Sequence, residues 1–106
     1  MMNVFRKMFG MEPQPDLATL VNEGAIILDV RSKSEYASGN VKGSMHIPLD
    51  QLGNNLHRFK NKEQVIITCC ASGMRSGVAK NMLRQNGFTR VYNGGSWHGL
   101  RHLDKK

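Results

Sequence analysis

The chain has 106 residues, of which 40% are hydrophobic and 22% are charged. This length suits one small domain and is too short for two domains with separate cores. The composition excludes disordered, collagen-like and low-complexity chains. The longest apolar stretches, 25–28 and 65–67, are far shorter than the roughly 18 to 20 residues of a membrane-spanning helix. We therefore expect a folded domain that does not cross a membrane.

Fifteen Lys and Arg residues against eight Asp and Glu give a net charge of +7, and such a positive field attracts anionic partners. The basic residues are scattered, with no arginine-rich run and no interleaved aromatics, so we expect a small anion or an acidic protein rather than nucleic acid. Cys69 and Cys70 are adjacent and cannot close an ordinary disulfide loop. Free thiols and the lack of a secretory signal at residues 1–10 predict a cytoplasmic location.

The first part of the chain is predicted to be an extension, residues 1–12, ahead of a domain formed by residues 13–106. Met2, Phe5, Met8 and Phe9 recur at helical spacing around Arg6-Lys7. Such a short segment binds membranes or partners weakly, so we expect its apolar groups to pack on the domain. Pro13 and Pro15 then interrupt regular structure.

The first half of the domain alternates helices with apolar strands. An S-x-x-E capping box at Ser32 and Glu35 opens a short helix that Gly39 closes. Leu49, Leu52, Leu56 and Phe59 have the spacing of one helix that buries a single stripe. The other predicted elements here are a helix at 17–22 and strands at 25–30 and 45–47.

The second half repeats this alternation and contains the clearest amphipathic helix, predicted over 76–86. The other predicted elements are a strand at 65–69, a loop at 70–75, a strand at 90–92, a turn at 93–95 and a helix at 96–103. Continuously apolar strands are typical of a sheet covered on both faces. The chain is thus predicted to be α/β, with a largely parallel central sheet and helices on both faces.

The loop between the 65–69 strand and the 76–86 helix is the predicted site, because ligands bind at the carboxyl ends of parallel strands. Backbone N–H groups, the positive helix end and Arg75 would all favour the thiolate of Cys70 over the thiol. The alternative is that Cys70 is only a small apolar residue that ends a strand. The rest of this active-site loop, between Cys70 and Arg75, consists of Ala71, Ser72, Gly73 and Met74.

These motifs resemble the rhodanese family, specifically its single-domain sulfurtransferases, from about residue 16 to about residue 100. The marks are Asp29-Val30-Arg31, Glu35-Tyr36, Gly39, Gly43, Ile47-Pro48, the C-A-S-G-M-R-S run at 70–76 and Gly94-Gly95 followed by Trp97. The resemblance implies that Cys70 takes a sulfane sulfur from thiosulfate, a persulfide or a polysulfide. The resulting persulfide would pass its sulfur to cyanide, a thiol or an acceptor protein. An ionised thiolate needs no separate base, and neither a metal nor a cofactor is expected.

The residues around the loop are given supporting roles. We interpret Asp29 and Arg31 as a pair that fixes the loop after the first strand. The alternative is that Arg31 contacts the substrate directly. Ser76 is also expected to support the site. Adjacent strand residues point to opposite faces. Cys69 is therefore predicted to be buried and structural rather than a resolving thiol. None of the four histidines shows metal-ligand spacing.

Some positions depart from the family's pattern. Asn40 stands where many relatives have a histidine after the glycine, and Ala71 and Met74 stand where thiosulfate-preferring relatives often have polar or basic groups. Arg75 is then the only charge in the loop, which predicts poor use of thiosulfate. Met74 would line the entrance or fill a gap in the loop.

Two other function classes remain open. A Cys-loop phosphatase or arsenate reductase also uses a thiolate before a helix, but its loop resembles C-x5-R, whereas Cys70 to Arg75 is C-x4-R. The shorter loop favours a single sulfur atom over a tetrahedral oxyanion. The other class is a non-catalytic module that carries sulfur to a partner or binds without chemistry.

Overall fold

The computed structural model describes residues 14–103, so the predicted extension at 1–12 lies outside the described residues. The described chain contains one four-stranded, fully parallel sheet in the order β2-β1-β3-β4. Its strands are β1 (Ile26–Asp29), β2 (Met45–His46), β3 (Ile66–Cys70) and β4 (Val91–Ser96). The helices are α1 (Leu17–Asn22), α2 (Lys33–Ala37), α3 (Leu49–Leu52) and α4 (Met74–Gln85), with 3₁₀ helices at Leu56–Arg58 and Trp97–Leu103.

The sheet separates two hydrophobic cores, because successive side chains of a strand point to opposite faces. On one face, Ile66 and Cys70 of β3 pack in a cluster with side chains of α3 and α4. On the other face, Ile67 and Cys69 pack with side chains of α1 and the C-terminal 3₁₀ helix. The predicted parallel α/β class, with helices on both faces, is confirmed. In residues 14–103 no helix is long and apolar enough to span a membrane.

The single helix predicted from Leu49 to Phe59 is wrong. α3 ends at Leu52, and a separate 3₁₀ turn covers Leu56–Arg58. The intervening Gly53-Asn54-Asn55 consists of weak helix formers, so the chain breaks there. Leu52 and Phe59 are nevertheless buried, which shows that the apolar spacing identified the buried side chains but not the element.

The turn predicted at 93–95 is also wrong, because these residues belong to β4. Their pairing with β3 shifts register between Thr68 and Cys70, which is the irregularity expected of a bulge. Gly94 lies so close to its neighbours that a Cβ atom there would be 2.8 Å from Ile67 Cγ2 and 2.9 Å from the Thr68 carbonyl oxygen. This close packing brings β4 beside the end of β3.

Candidate active site

Cys70 is the last residue of β3, and its sulfur is enclosed by the loop that enters α4. α4 begins at Met74 rather than at Ser76 as predicted. Gly73 has a φ of +100°, a left-handed conformation that favours glycine, and its N–H lies 3.0 Å from Cys70 Sγ. The N–H of Ser76 lies 3.4 Å from the same sulfur. Donors from the loop and from the first turn of the helix therefore converge on one atom.

These donors favour the ionised thiol. Burial by itself raises the pKa of Cys70, but the hydrogen-bond contact with the Ser76 hydroxyl and the N–H groups of Ser76, Gly73 and Ser72 together outweigh it. The net effect lowers the pKa of the Cys70 thiol from 9.0 to about 7. A substantial fraction of Cys70 is therefore ionised near neutral pH, and the thiolate is the nucleophilic form.

The Ser76 side chain joins the sulfur to β4. Ser76 Oγ lies 3.5 Å from Cys70 Sγ and donates a 2.7 Å hydrogen bond to Asn93 Oδ1. Asn93 Oδ1 also accepts from the Gly95 N–H at 2.9 Å, and Asn93 Nδ2 donates to the Gly73 carbonyl at 3.1 Å. Sequence reasoning missed Asn93 because 93–95 looked like a turn; the only available signal was a polar residue directly before Gly94-Gly95.

Arg75 forms an ion pair that the sequence did not predict, and it also interacts through its charge with Cys70. Its guanidinium forms two hydrogen bonds with the Glu35 carboxylate, at 2.7 and 3.0 Å. Glu35 also completes the predicted capping box with Ser32. The Arg75 hydrogen bond is the main reason that the pKa of Glu35 falls to about 2. Arg75 thus ties the loop to α2, and it is the hydrogen bonds to the sulfur that mainly favour the thiolate.

Asp29 and Arg31 form the predicted pair, buried at the end of β1. The Arg31 Nη2 group donates to Asp29 Oδ2 at 2.7 Å and to the Gly39 carbonyl at 2.7 Å. The guanidinium also stacks 4.4 Å from the centre of the Trp97 ring. Through these contacts, Arg31 holds β1, the loop after α2 and the start of the C-terminal 3₁₀ helix together.

Cys69 lies on the opposite face of the sheet from Cys70, as the alternation of a strand requires. It is fully buried, and burial is the main cause that raises the pKa of its thiol to about 12. A thiol that is buried, protonated and turned away cannot attack a persulfide on Cys70. Its position agrees with the structural role predicted for it.

Three residues of the loop beside Cys70 are exposed. Met74 is 80% exposed, which excludes the prediction that it fills a gap, while Ala71 and Ser72 are also exposed. A groove of about 460 Å³ runs beside Arg75. It is lined by Val30, Ser32, Pro48, Leu49, Asp50, Arg75, Val78 and Met82.

The remaining polar candidates have local roles. His46 stacks on Tyr36, with ring centroids 4.3 Å apart, and its Nε2 lies 2.7 Å from the Arg31 carbonyl oxygen. Asn40 Nδ2 donates to the Tyr36 carbonyl in the last turn of α2. Among residues 14–103, no three His, Cys, Asp or Glu side chains are grouped to hold a metal ion.

Residues 14–99 match the Rhodanese-like domain family. The chain belongs to this family. Over 69 residues it is 37% identical to the uncharacterized protein YqhL of Bacillus subtilis, covering 65% of this chain and 54% of that protein. Over 77 residues it is 32% identical to the thiosulfate sulfurtransferase PspE of Escherichia coli, covering 72% of this chain and 71% of that protein.

Solved structures support the same membership. The human single-domain sulfurtransferase TSTD1 superposes with a TM-score of 0.70 at 28% identity, covering 85% of this chain and 91% of that one. The chain spans about half of YqhL and 38% of the putative sulfur carrier protein YrkF of Bacillus subtilis. Its rhodanese domain is therefore shared with longer proteins.

Proposed function

We propose that this rhodanese domain transfers a sulfane sulfur through a persulfide on Cys70. The observation that carries the proposal is the set of hydrogen-bond donors around Sγ, which lowers the pKa of the thiol to about 7. A thiolate at neutral pH is the form that attacks sulfur. PspE and TSTD1, which are both named as sulfurtransferases, support this reaction class.

The reaction balances without a cofactor or a general base. The thiolate attacks the outer sulfur of a donor such as thiosulfate, an S–S bond forms on Cys70, and sulfite leaves with the electron pair of the broken bond. Cyanide or a thiolate then attacks the outer sulfur of the persulfide. Thiocyanate or a new persulfide departs, and the Cys70 thiolate is restored.

Within this proposal, the preferred donor is an organic persulfide or a polysulfide rather than thiosulfate. A dianion needs an available cation, but the guanidinium of Arg75 is already paired with Glu35. The other side chains between Cys70 and Arg75 carry no charge. The exposed Met74 at the start of α4 favours a less polar group near the transferred sulfur. The overall charge of +7 would still attract an anionic donor or an acidic acceptor protein.

Two variants with matched chemistry test the assignment. Wild-type protein incubated with a polysulfide should gain the mass of one sulfur atom and release thiocyanate on addition of cyanide. Cys69→Ser should retain both results, whereas Cys70→Ser should lose both. Full transfer by Cys70→Ser together with loss in Cys69→Ser would show that the nucleophile is the other cysteine.

Steady-state kinetics with several donors test the preference. The ratio kcat/KM should be larger for glutathione persulfide than for thiosulfate at equal ionic strength. Repeated turnover distinguishes an enzyme from a carrier, which would release only one equivalent of sulfur per chain. A higher kcat/KM for thiosulfate would contradict the role given to the Arg75–Glu35 pair.

Phosphatase chemistry is disfavoured by the size of the loop. The loop from Cys70 to Arg75 is one residue shorter than a C-x5-R loop, so it offers fewer amides to an oxyanion whose oxygens each need a donor. We expect no hydrolysis of an aryl phosphate under conditions in which persulfide is discharged to cyanide. Insertion of one glycine between Gly73 and Met74 should weaken persulfide formation. Aryl-phosphate hydrolysis that disappears in Cys70→Ser would instead support the phosphatase.

A further inference from the structure

The amide of Asn93 has only one orientation that satisfies its neighbours. Its Nδ2 faces the Gly73 carbonyl, which can only accept, and its Oδ1 faces the Gly95 N–H, which can only donate. If the amide were turned over, Oδ1 would face the Gly73 carbonyl oxygen, another acceptor, and Nδ2 would face the Gly95 N–H, another donor. Because Oδ1 carries no hydrogen, the 2.7 Å contact with Ser76 requires that the Ser76 hydroxyl be the donor.

Ser76 has a single hydroxyl hydrogen, so donation to Asn93 leaves only lone pairs facing the sulfur. That arrangement suits the neutral thiol, because the S–H of Cys70 can donate to Ser76 Oγ across the 3.5 Å contact. It does not suit the thiolate, which needs a donor. A hydroxyl that turns toward Sγ when Cys70 ionises becomes a further donor to the thiolate, beside the Gly73 and Ser76 N–H groups, and Asn93 Oδ1 then keeps only the Gly95 N–H.

We propose that Asn93 is a positioning residue that competes with Cys70 for the Ser76 hydroxyl proton and so helps to set when the thiol ionises. The proposal rests on the proposed function only in that Cys70 is the reactive thiol. The same Asn93 side chain also holds the loop through Gly73. Asn93 is therefore expected to act on the pKa of Cys70 in two opposite ways. Competition for the hydroxyl proton raises this pKa, whereas holding the loop, with its N–H donors, around the sulfur lowers it.

The surroundings permit these effects to be separated. Two ion pairs lie near the thiol, Arg75–Glu35 at the loop and Asp29–Arg31 at the end of β1. Neither pair hydrogen-bonds with Ser76 or Asn93 through an ionised group. Cys69, the neighbouring thiol, faces the other core. Changes at Ser76 and Asn93 therefore leave every charged partner in place.

A double-mutant cycle isolates the competition. The rate of Cys70 alkylation by iodoacetamide is measured from pH 5 to 10 in the full chain carrying Cys69→Ala, so that only one thiol reacts. The four proteins are this parent, Ser76→Ala, Asn93→Ala and the combination of the two. No sulfur donor is involved, so the result stands whether or not sulfur transfer itself is observed. Asn86→Ala, at the far end of α4, is the control for losing an asparagine and should leave the rate unchanged.

The shift in the pKa of Cys70 caused by Asn93→Ala is measured twice, once with Ser76 present and once in the Ser76→Ala background. If Asn93 and Cys70 compete for the Ser76 proton, the shift with Ser76 present is the more downward of the two. A coupling of half a pH unit gives about a threefold difference in relative alkylation rate at pH 6. Equal shifts in both backgrounds would overturn the proposal and leave Asn93 with the loop contact alone.

Asn93→Asp provides a second arm that retains the side-chain shape. Its carboxylate holds the hydroxyl proton more strongly than an amide does. The rise in the pKa of Cys70 should therefore be larger with Ser76 present than in the Ser76→Ala background. An equal rise in the two backgrounds would reflect only the added negative charge and would refute the competition, even if Asn93→Ala failed to fold.

Discussion

Folding stability should depend on pH through the two cysteines in opposite directions. The pKa of the Cys70 thiol is 9.0 in its ordinary state and about 7 in the folded protein. Between these values the unfolded chain binds more protons than the folded one, so stability rises with pH. The contribution of Cys70 is complete above pH 9 and is lost as the pH falls through 7. Two pH units correspond to about 3 kcal/mol.

The pH dependence of stability that comes from Cys69 has the opposite sign. Its pKa is raised to about 12 in the folded protein, so its contribution is present below pH 9 and is lost as the pH rises toward 12. Three pH units correspond to about 4 kcal/mol over that range. The thiol contributions together are therefore largest near pH 9.

Urea unfolding of wild type and Cys70→Ser, with a phosphine reductant present, measures this effect at several pH values from 6 to 9.5. Every other titrating group is common to both proteins and cancels in the difference. The free energy of unfolding of wild type should gain about 3 kcal/mol over that of Cys70→Ser across this range. Cys69→Ala, the matched control, should keep the gain between pH 7 and 9. Parallel profiles for wild type and Cys70→Ser would refute the assignment of a lowered pKa to Cys70.

Two further predictions concern the scaffold. Gly94→Ala should destabilise the fold by about 1 to 3 kcal/mol in thermal or urea unfolding, because its Cβ would lie 2.8 to 2.9 Å from three neighbours. Gly53→Ala, where a Cβ meets nothing within 4 Å, is the control, and an equal loss there would contradict the packing argument. Glu35→Gln should remove a stability contribution of about 1 kcal/mol or less, because the Arg75–Glu35 pair is about one-third exposed and solvent screens it. The pKa of Glu35 is lowered from 4.5 to about 2, so this contribution is present above pH 4.5 and is lost as the pH falls toward 2. If the stability of Glu35→Gln parallels that of wild type over this pH range in unfolding experiments, the prediction is contradicted.

The sequence by itself determined the features that depend on neighbouring residues. Continuous apolar runs such as 25–28 indicate strands covered on both faces, and the alternation within a strand places Cys69 and Cys70 on opposite sides. The Ser32–Glu35 capping box and the small-residue loop after Cys70 are local as well, so their spacing is readable directly. The same local reasoning failed at Leu49–Phe59. The apolar residues there have helical spacing although they belong to two short elements, because both elements bury side chains in the same core.

Tertiary structure decided which partners the polar groups found. Arg75 lies 40 residues from Glu35, and Ser76 lies 17 residues from Asn93. Such contacts depend on strand order and on the shifted register of β4 against β3, neither of which is encoded in local periodicity. The sequence placed a cation and a hydroxyl beside the cysteine. Only the fold directed the cation to a carboxylate on α2 and the hydroxyl proton to an amide on β4, because long-range packing sets which acceptors come within hydrogen-bond distance.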